Sequence, residues 1–566
     1  PSFISKKQVK YKSIEKEILD RIVAYAFHAQ GIKKLKDEQF LAVKKLLIDG
    51  GNILAVLKTG FGKSLIYQLF SFLQPVIILA IFPINALIDD QNLHLNANGF
   101  DFSMSNAEIK KKRNRIDEAT LANKRLFLIT AERLENIEVN YMLKSLAHFV
   151  GAIVFDEAHC ISEWGHDFRP SYLVVRHVMQ NIKERNDKMK IIALTATAAP
   201  YIQKDIMNIL NINSKGLINL ADGSGLERKE LKYKLIKEND SHLKTKNDKK
   251  RFWGEIAVNV AKKQEFENGV SILYFIYANK WNRKYPNLAS AEHAFEESSI
   301  KNSGLFIGRK KEIINELGEK KEEEKLNPFK KASVLFATKS FGMGVNIEEC
   351  NYVGLIQPPS SLEDLYQQAG RAGRKGQDSL VEIRYSNSHL VDPMQKSSPF
   401  RFFLSNDKVR VGLQPYLVDE LLSLIEENNF KDLIINVKEL HAKQMNIHEE
   451  IYIRKNNFDN YLKWSIAHLI NEFGIIDYYV VNYGMGTSLK TIRIFVNKAN
   501  KKSEDIDKRI EKTLSNYAID NNGFNRIDKI KQFYEFYFAE IEKQKKTGIN
   551  IFVNELRKID KIENFD

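Results

Sequence analysis

Cysteine is scarce in this sequence, and its scarcity excludes several kinds of protein. Only Cys160 and Cys350 occur among 566 residues. Two thiols cannot build a framework of several disulfides, nor can they supply a four-cysteine zinc site. The count fits a reducing, cytoplasmic setting, and we expect no zinc.

Long apolar runs are also missing. A membrane-spanning helix needs about 18 consecutive apolar residues, whereas the longest apolar stretch, residues 75–82, has the length of a buried strand. The first residues, PSF, show no signal-peptide pattern, and without a Met they indicate a processed N-terminus or a fragment. We therefore expect no membrane association. The many Lys, Asn and Ile residues favour a bacterial source with an AT-rich genome.

Charge, by contrast, is abundant and unbalanced. The chain has 86 Lys and Arg against 72 Asp and Glu, a formal net charge of +14. A basic surplus suits a polyanionic partner, because each Lys or Arg on a phosphate releases counterions. A lysine-rich surface without a partner explains the charge equally well. At ~150 residues per domain, the length predicts three or four domains.

Two regions alternate short β-branched runs with longer amphipathic stretches, which predicts parallel α/β sheets. In the first region we predict strands at 52–57, 76–81, 125–130, 152–155 and 191–194. In the second we predict strands at 271–276, 334–337, 352–356 and 380–385. The predicted domains are a helical lead-in at 1–30, a first lobe at 31–222, a second lobe at 223–395 and an accessory region at 396–566. The charged run at 319–325 is predicted to be a solvated helix face.

The accessory region loses this alternation. Leu462, Ile466, Ile470 and Phe473 repeat with a helical period, and Gly474 can end the helix. Segments 475–481 and 489–496 then predict two strands. Because a helix followed by a strand pair resembles a winged helix, we predict such a unit within about residues 400–500, with helices after it.

A glycine-rich turn follows the first predicted strand. Residues 58–64 read KTGFGKS and lead into a helical pattern. Glycines let backbone N–H groups turn towards phosphates at a helix N-terminus. We predict ATP binding by Lys63 at the β and γ phosphates and Ser64 on Mg²⁺, within a cradle that includes Thr59, Gly60 and Gly62. Leu57 stands where the strict motif has Gly, and a chance match would look the same.

Two further elements point to nucleotide hydrolysis. Asp156 and Glu157 follow a predicted apolar strand, where the first would hold Mg²⁺ through water and the second would polarise the attacking water. An acidic pair in a solvated loop is the alternative. Arg371 and Arg374, three residues apart, are predicted to lie on one helical face and to act as arginine fingers. The alternative for them is a basic helix start on a nucleic-acid backbone.

The segment 156–170, DEAHCISEWGHDFRP, resembles motif II and the aromatic-rich loop of the RecQ family of DNA helicases. Other matches follow in family order: TAERL at 130–134 resembles motif Ib, LTATA at 194–198 motif III, FGMGVN at 341–346 motif V and 366–374 motif VI. The resemblance covers about residues 25–390. It implies two RecA-like lobes in tandem, ahead of a mostly helical accessory region. It also implies an ATP-driven 3′-to-5′ DNA helicase acting in repair or recombination.

The resemblance also assigns roles to single residues. Gln39 would read the adenine edge. Trp164, His166, Phe168 and Arg169 would sense single-stranded DNA and relay its binding to the ATP site, which agrees with the stacking faces and the charge that such side chains offer. In isolation, core packing for the two aromatics and a structural hydrogen bond for His166 would be the simpler interpretations.

The sequence departs from the family at several points. Ile32 and Leu35 stand where the family often has aromatics, Lys36 where it often has arginine, and Phe61 where it has a small residue. The family's four-cysteine zinc subdomain cannot form here, so the role of the accessory region is open.

Four functions therefore stay under consideration. The first is a DNA helicase acting on single-stranded DNA or tailed duplexes, with protein partners at the accessory region. The second is a DNA-stimulated ATPase that remodels protein–DNA complexes without unwinding, as a subunit of a repair or anti-phage defence system. A binding module with a degenerate ATPase is disfavoured by the intact ATP motifs. An RNA helicase is disfavoured by the loop at 160–170.

Overall fold

A computed structural model shows the architecture of the chain. It describes residues 8–563 except 59, 98, 100–101, 112–123, 163–170, 197–199, 220–227, 240–245, 266–268, 276–290, 308–309, 315–318, 323–331, 339–340, 342–346, 348, 360–361, 396–397, 399, 401–407, 448–454, 484–488 and 521–522.

The first lobe is built on a parallel sheet that is buried on both faces. Within the described residues it has seven strands in the order β3-β4-β2-β5-β6-β1-β7. The strands are β1 (Ile53–Val56), β2 (Ile77–Phe82), β3 (Ser103–Ser105), β4 (Leu126–Thr130), β5 (Val150–Asp156), β6 (Lys190–Thr195) and β7 (Leu217–Asn219). The five predicted strands are present with small shifts at their ends. They read as continuous apolar runs because helices cover both faces of a parallel sheet.

Helices connect these strands and cover the sheet. They are α1 (Lys16–Ala26), α2 (Asp37–Lys44), α3 (Ser64–Leu73), α4 (Asn85–Ala97), α5 (Asn106–Lys111), α6 (Ala131–Leu134), α7 (Ile137–Leu146), α8 (Ser171–Arg185) and α9 (Pro200–Leu210). Helix α3 leaves directly from the glycine-rich turn after β1, so the turn lies at a helix N-terminus.

The second lobe has a sheet of the same kind with an antiparallel extension at one edge. Its order among described strands is β12-β11-β10-β13-β9-β14-β15-β8. The strands are β8 (Leu231–Lys237), β9 (Val270–Phe275), β10 (Ser303–Ile307), β11 (Lys310–Ile314), β12 (Lys320–Glu322), β13 (Val334–Thr338), β14 (Cys350–Leu355) and β15 (Ser379–Tyr385). The helices are α10 (Lys246–Glu265), α11 (Ala291–Ser298) and α12 (Leu362–Ala369).

In the described part of the charged run at 319–325, residues 319–322 do not form the helix face that the composition predicted. Its residues Lys320–Glu322 form β12, which pairs antiparallel with β11. Lys320 also pairs with Glu312 at 3.2 Å across the two strands. Cross-strand pairing therefore overrides the helical preference of Glu and Lys at this sheet edge.

The accessory region contains the predicted helix and strand pair, together with a strand that was not predicted. Its elements are α13 (Lys408–Glu427), β16 (Leu433–Asn436), α14 (Val437–Ile447), α15 (Lys455–Asn471), β17 (Ile476–Tyr483), β18 (Leu489–Val496), α16 (Ser503–Asn516) and α17 (Arg526–Glu563). The described strands form an antiparallel sheet ordered β16-β18-β17. Helix, strand, two helices and a strand pair, with the first strand beside the last, is the arrangement of a winged helix.

The accessory region contacts both lobes. Its contact with the first lobe is polar, and its contact with the second lobe is largely apolar. On the first lobe the buried carboxylate of Glu135 accepts hydrogen bonds from Lys463 and, at 2.6 Å, from the Tyr479 hydroxyl. On the second lobe Leu235, Leu365 and Leu390 pack against an apolar cluster that includes Phe552 on α17, and Arg557 Nε donates to the Leu390 carbonyl at 2.7 Å. The two lobes are thus joined by the accessory region as well as by the chain between them.

The predicted domain limits near residues 30, 222 and 395 stay predictions. Across the described helices, none combines the length and apolar character that crossing a membrane requires. In the same part of the chain, no group of three or more His, Cys, Asp and Glu side chains could hold a metal ion.

Candidate ATP site

The glycine-rich turn is shaped by two residues in left-handed conformations. Gly60 has φ 77° and Gly62 has φ 84°, values that residues with a Cβ atom rarely adopt. Between them, Phe61 N donates to the Lys58 carbonyl at 3.1 Å, which closes the turn. Lys63 then precedes Ser64, the first residue of α3. The turn thus presents backbone N–H groups at a helix N-terminus, as phosphate binding requires. Thr59 lies outside the described residues.

The acidic pair lies at the end of β5, a strand of the same sheet that is one strand removed from β1. Strand β6 lies between β1 and β5, and Thr195 at its end accepts a hydrogen bond at its carbonyl from Leu57 N at 2.9 Å. Asp156 is 6% exposed at the end of β5. Glu157 follows with φ 55° and ψ 53°, a left-handed conformation that is uncommon for a side chain of this kind and recurs at functional sites.

Electrostatics connects this pair to groups on both lobes. Burial, and then the charge of Glu157, raises the pKa of Asp156 to about 7, against the opposing effect of Lys63. Burial also disfavours ionisation of Glu157, yet nearby positive charges outweigh it and hold the pKa of this carboxyl below its ordinary value. Those charges come from Lys63, Arg371 and Arg374, and from His159 when its imidazole is protonated. A buried carboxyl whose pKa is raised is a fitting oxygen ligand for Mg²⁺, a cation that would offset its desolvation.

A hydrogen-bonded relay crosses the cleft beside the acidic pair. Gln367 Nε2 on α12 donates to His159 Nε2 at 2.8 Å, which leaves the proton of this imidazole on Nδ1. His159 Nδ1 then donates to Thr195 Oγ1 at 3.1 Å. The His of the DEAH segment therefore joins the end of β6 to the second lobe. Sequence reasoning gave no role to His159 or Gln367, although both stand inside quoted motifs.

Arg371 and Arg374 do not lie on a helical face, so that prediction is wrong. Helix α12 ends at Ala369, and both arginines belong to the turns that follow. Gly373 has φ 66°, which takes the backbone out of the helical path. Arg371 is buried, and burial together with Arg371 lowers the pKa of Arg374. Both positive charges nevertheless act on Glu157, as arginine fingers would require.

A second residue pair, missed from the sequence, supports that turn. Arg228 Nη2 donates to the Ala372 carbonyl at 2.7 Å, and its Nε donates to Glu230. A Cβ on Gly373 would come within 2.9 Å of Glu230 Cγ, so only glycine fits there. Burial raises the pKa of Glu230, but hydrogen bonds from its own backbone and from Arg228, together with the charges of Arg228 and then Lys58, bring it below its ordinary value. The pair therefore holds the arginine turn.

Gln39 is buried against the phosphate loop. Its Nε2 donates to the carbonyls of Phe61, at 3.0 Å, and Gly62, at 2.9 Å. Its Oε1 accepts the Lys36 backbone N–H at 2.9 Å. These contacts bind the segment before α2 to the loop, and reading of the adenine edge by Gln39 stays a prediction.

Comparison with known proteins is consistent with this geometry. Residues 36–205 match the family model described as DEAD/DEAH box helicase, and residues 291–376 match the Helicase conserved C-terminal domain. The ATP-dependent DNA helicase RecQ of Bacillus subtilis is 31% identical over 379 residues, which are 66% of this chain and 58% of that protein. The chain belongs to the RecQ family of helicases.

Two further similarities are found. The RecQ helicase of Haemophilus influenzae is 28% identical over 64% of this chain and 52% of its own length. The chain thus spans a little over half the length of these curated relatives. A solved structure of Mss116p bound to ssRNA and AMP-PNP aligns with a TM-score of 0.49 at 17% identity, over 74% of this chain and 87% of that one.

Several RecQ motif residues lie outside the described part of the chain. Trp164, His166, Phe168 and Arg169 belong to residues 163–170, and most of motif V belongs to residues 342–346. What the structure does place is the attachment of the aromatic loop. It leaves a 3-10 helix, Ala158–Ile161, that directly follows Glu157, and it returns to α8 at Ser171.

The cysteines of this RecQ-family chain are set apart from each other. Cys160 is buried beside His159 in the first lobe, and Cys350 is buried at the start of β14 in the second. Burial raises the pKa of the Cys350 thiol to about 12, which keeps it in the unreactive thiol form.

Proposed function

We propose that this protein is an ATP-dependent DNA helicase of the RecQ type that moves 3′ to 5′ along single-stranded DNA and separates strands. One observation carries the ATPase part of the proposal. Lys63 on the first lobe and Arg371 and Arg374 on the second all act on Glu157. A carboxylate whose ionised form is favoured by a phosphate-loop lysine and by two arginines of the other lobe suits nucleotide hydrolysis.

The catalytic roles follow from the placement of each group. Bound Mg²⁺ would neutralise charge on the phosphates, with Ser64 and Asp156 as the residues that hold it. Lys63 and the loop N–H groups, including those of Gly60 and Gly62, bind the phosphates. Glu157 stays ionised and orients the attacking water. The two arginines stabilise charge that develops as the γ-phosphate leaves, and that charge is greatest in the transition state.

Coupling to DNA is assigned to the loop that follows the acidic pair. Trp164 and Phe168 would stack on bases, Arg169 would take a phosphate, and His166 would transmit the change. Base stacking is worth about 1–3 kcal/mol per base, enough to shift a two-state loop by roughly tenfold or more. Because the loop is joined to Glu157 through the short 3-10 helix Ala158–Ile161, DNA bound to the loop would act on the strand end that holds Glu157.

The accessory region has a smaller electrostatic role in the proposal. Residues 396–566 carry almost equal numbers of basic and acidic side chains, so the basic surplus lies in the two lobes. General attraction to DNA phosphates is therefore assigned to the lobes. Contact of the winged-helix unit with duplex DNA or with a protein partner stays part of the proposal, as does a bacterial cytoplasmic setting.

Assays of ATP turnover and unwinding on 3′-tailed, 5′-tailed and blunt DNA, with matched RNA, test this function. We expect turnover to rise with single-stranded DNA and unwinding to require a 3′ tail. Turnover that rises with DNA while no substrate is unwound would favour the remodelling ATPase instead. A stronger response to RNA would overturn the DNA assignment.

Substitutions in the loop test the coupling. We expect Trp164→Ala and Arg169→Ala to keep basal ATPase and to lose most of the stimulation by DNA, while salt-sensitive DNA binding persists. Tyr25→Ala removes an aromatic that is 82% exposed on α1 and serves as the matched control. Equal stimulation in all variants would mean that the loop is structural.

A further inference from the structure

The phosphate loop is held by its carbonyl groups from the segment that precedes α2. Lys36 Nζ donates to the Phe61 carbonyl at 3.1 Å, and Gln39 Nε2 donates to the same oxygen at 3.0 Å. Gln39 Nε2 also donates to the Gly62 carbonyl at 2.9 Å. Two consecutive peptide groups of the loop are thus fixed from one side.

Fixing those carbonyls also fixes the direction of the N–H groups. In a trans peptide the N–H of one residue points opposite to the C=O of the residue before it. With the carbonyls of Phe61 and Gly62 turned towards Lys36 and Gln39, the N–H groups of Gly62 and Lys63 face the other way. Those two N–H groups belong to the phosphate cradle, so the contacts with Lys36 and Gln39 orient the cradle.

Phe61 adds a second contact to the same lysine. Lys36 Nζ lies 4.2 Å from the centroid of the Phe61 ring, which is 7% exposed. A cation over an aromatic face gains most where water is excluded. Two of the positions at which this chain departs from its family, Phe61 in the loop and Lys36 before α2, are therefore in contact with each other.

These bonds engage both N–H groups of the Gln39 amide. Both of its donated hydrogen bonds go to loop carbonyls, and its oxygen accepts from Lys36 N at 2.9 Å. A Cβ on Gly62 would come within 2.8 Å of Gln39 Nε2, which shows how closely the amide sits on the loop. In this arrangement, neither N–H group of Gln39 is available to donate a hydrogen bond to an adenine ring.

We propose that Lys36 and Phe61 form a positioning pair that sets the phosphate loop for the triphosphate chain of any nucleotide, without selecting the base. This inference rests on the proposed ATPase function and adds to it. The pair contributes to affinity for the phosphates, so its loss should weaken every triphosphate ligand by the same factor.

Calorimetric titration in the presence of Mg²⁺ tests the pair with three probes: ATP, GTP and inorganic tripolyphosphate, which has no base. We expect Lys36→Met to weaken all three by the same factor, on the order of tenfold, because a hydrogen bond from a charged donor is lost. Lys36→Arg should stay close to wild type, since a guanidinium keeps the charge, the donors and the contact with the ring.

Variants of Phe61 separate the ring from the backbone contact. Phe61→Leu keeps the carbonyl bonds and loses the ring, so we expect a smaller, equal loss of about two- to threefold for the three probes. Thermal melting of each variant reports folding. Should Lys36→Met fail to fold, Phe61→Leu carries the test.

Two outcomes would overturn the inference. A loss confined to ATP would mean that the pair reads the base. Unchanged binding of all three probes would mean that the pair neither reads the base nor positions the phosphate loop. In both cases a wild type that hydrolyses ATP leaves the proposed function standing. A wild type that neither binds nor hydrolyses ATP would instead sink the proposed function, and the inference with it.

Discussion

The two faces of the nucleotide cleft are built in different ways. On the first lobe, the groups sit at strand ends and in a turn set by Gly60 and Gly62, so the backbone itself holds them. On the second lobe, the arginines sit in a turn after α12 that the side-chain pair of Arg228 and Glu230 holds in place.

This difference predicts what each face contributes to nucleotide affinity and to the rate of hydrolysis. The cradle binds the phosphates of the ground-state nucleotide and stabilises them further in the transition state, so its loss should reduce both affinity and rate. Arginines on the opposite lobe matter most when charge develops on the γ-phosphate, so their loss should reduce the rate alone. Substitutions on the two faces test this contrast.

The largest effect is expected on the first lobe. Lys63→Ala removes the phosphate contact and should abolish measurable ATP turnover while weakening nucleotide binding. Glu157→Gln should also stop turnover but retain bound ATP, since it removes only the group that orients water. Steady-state ATPase and nucleotide-binding measurements check both. Lys44→Ala, at an exposed position on α2, is the control. Near-normal turnover in both variants would refute the site.

The next largest effect belongs to the arginines. Arg371→Ala and Arg374→Ala should lower kcat by roughly 10³-fold, the lower range for losing an arginine finger, with the KM for ATP nearly unchanged. Kinetic constants measured at saturating DNA separate the two effects. The contrast between the faces fails if either change weakens nucleotide binding and leaves the maximal rate intact.

A smaller effect is expected at the pair that supports the arginine turn. Arg228→Ala should lower kcat by about 10- to 100-fold with little change in KM, because the bond to the Ala372 carbonyl and the ion pair are lost together. Arg228→Lys can still donate one bond and should recover part of the rate. Lys232→Ala, at a residue 69% exposed on β8, controls for charge. A rise in KM with kcat unchanged would mean that the pair contributes to nucleotide binding instead.

The contrast also shows which parts of the site the sequence could predict. The strands that lead to Lys63 and Asp156 are buried in a parallel sheet, so they are continuous apolar runs that any reader of the sequence can find. The groups at their ends follow directly. The placement of Lys63 at a helix start and of Asp156 at a strand end was therefore predictable, whereas the relay through His159 was not.

The second face was less predictable, because its geometry depends on turns and on distant contacts. The spacing of Arg371 and Arg374 suggested a helix, but Gly373 allows a left-handed turn that spacing alone does not reveal. The bond between Arg228 and Ala372 joins residues 144 apart. The ion pair between Lys463 and Glu135 connects residues 328 apart, and neither residue lies in one of the motifs quoted above.

The smallest effect concerns Gln367, the residue that links the two faces through His159. Gln367→Met keeps the size of the side chain and removes its donor to His159 Nε2, a bond of 2.8 Å. A neutral hydrogen bond contributes about 0.5–1.5 kcal/mol, so we expect the DNA-stimulated rate to fall by roughly three- to tenfold, with basal turnover nearly unchanged. Basal and stimulated ATPase rates check this.

Gln367→Glu separates the bond from mere packing. A carboxylate at this position can only accept, so it restores the link when His159 is protonated. The deficit of this variant should therefore shrink as the pH falls and grow as it rises, whereas the deficit of Gln367→Met should not follow pH in this way. Rate profiles of both variants, each divided by the wild-type profile, give the answer. If the two ratios run parallel, the relay does not pass through His159, and the faces communicate by another route.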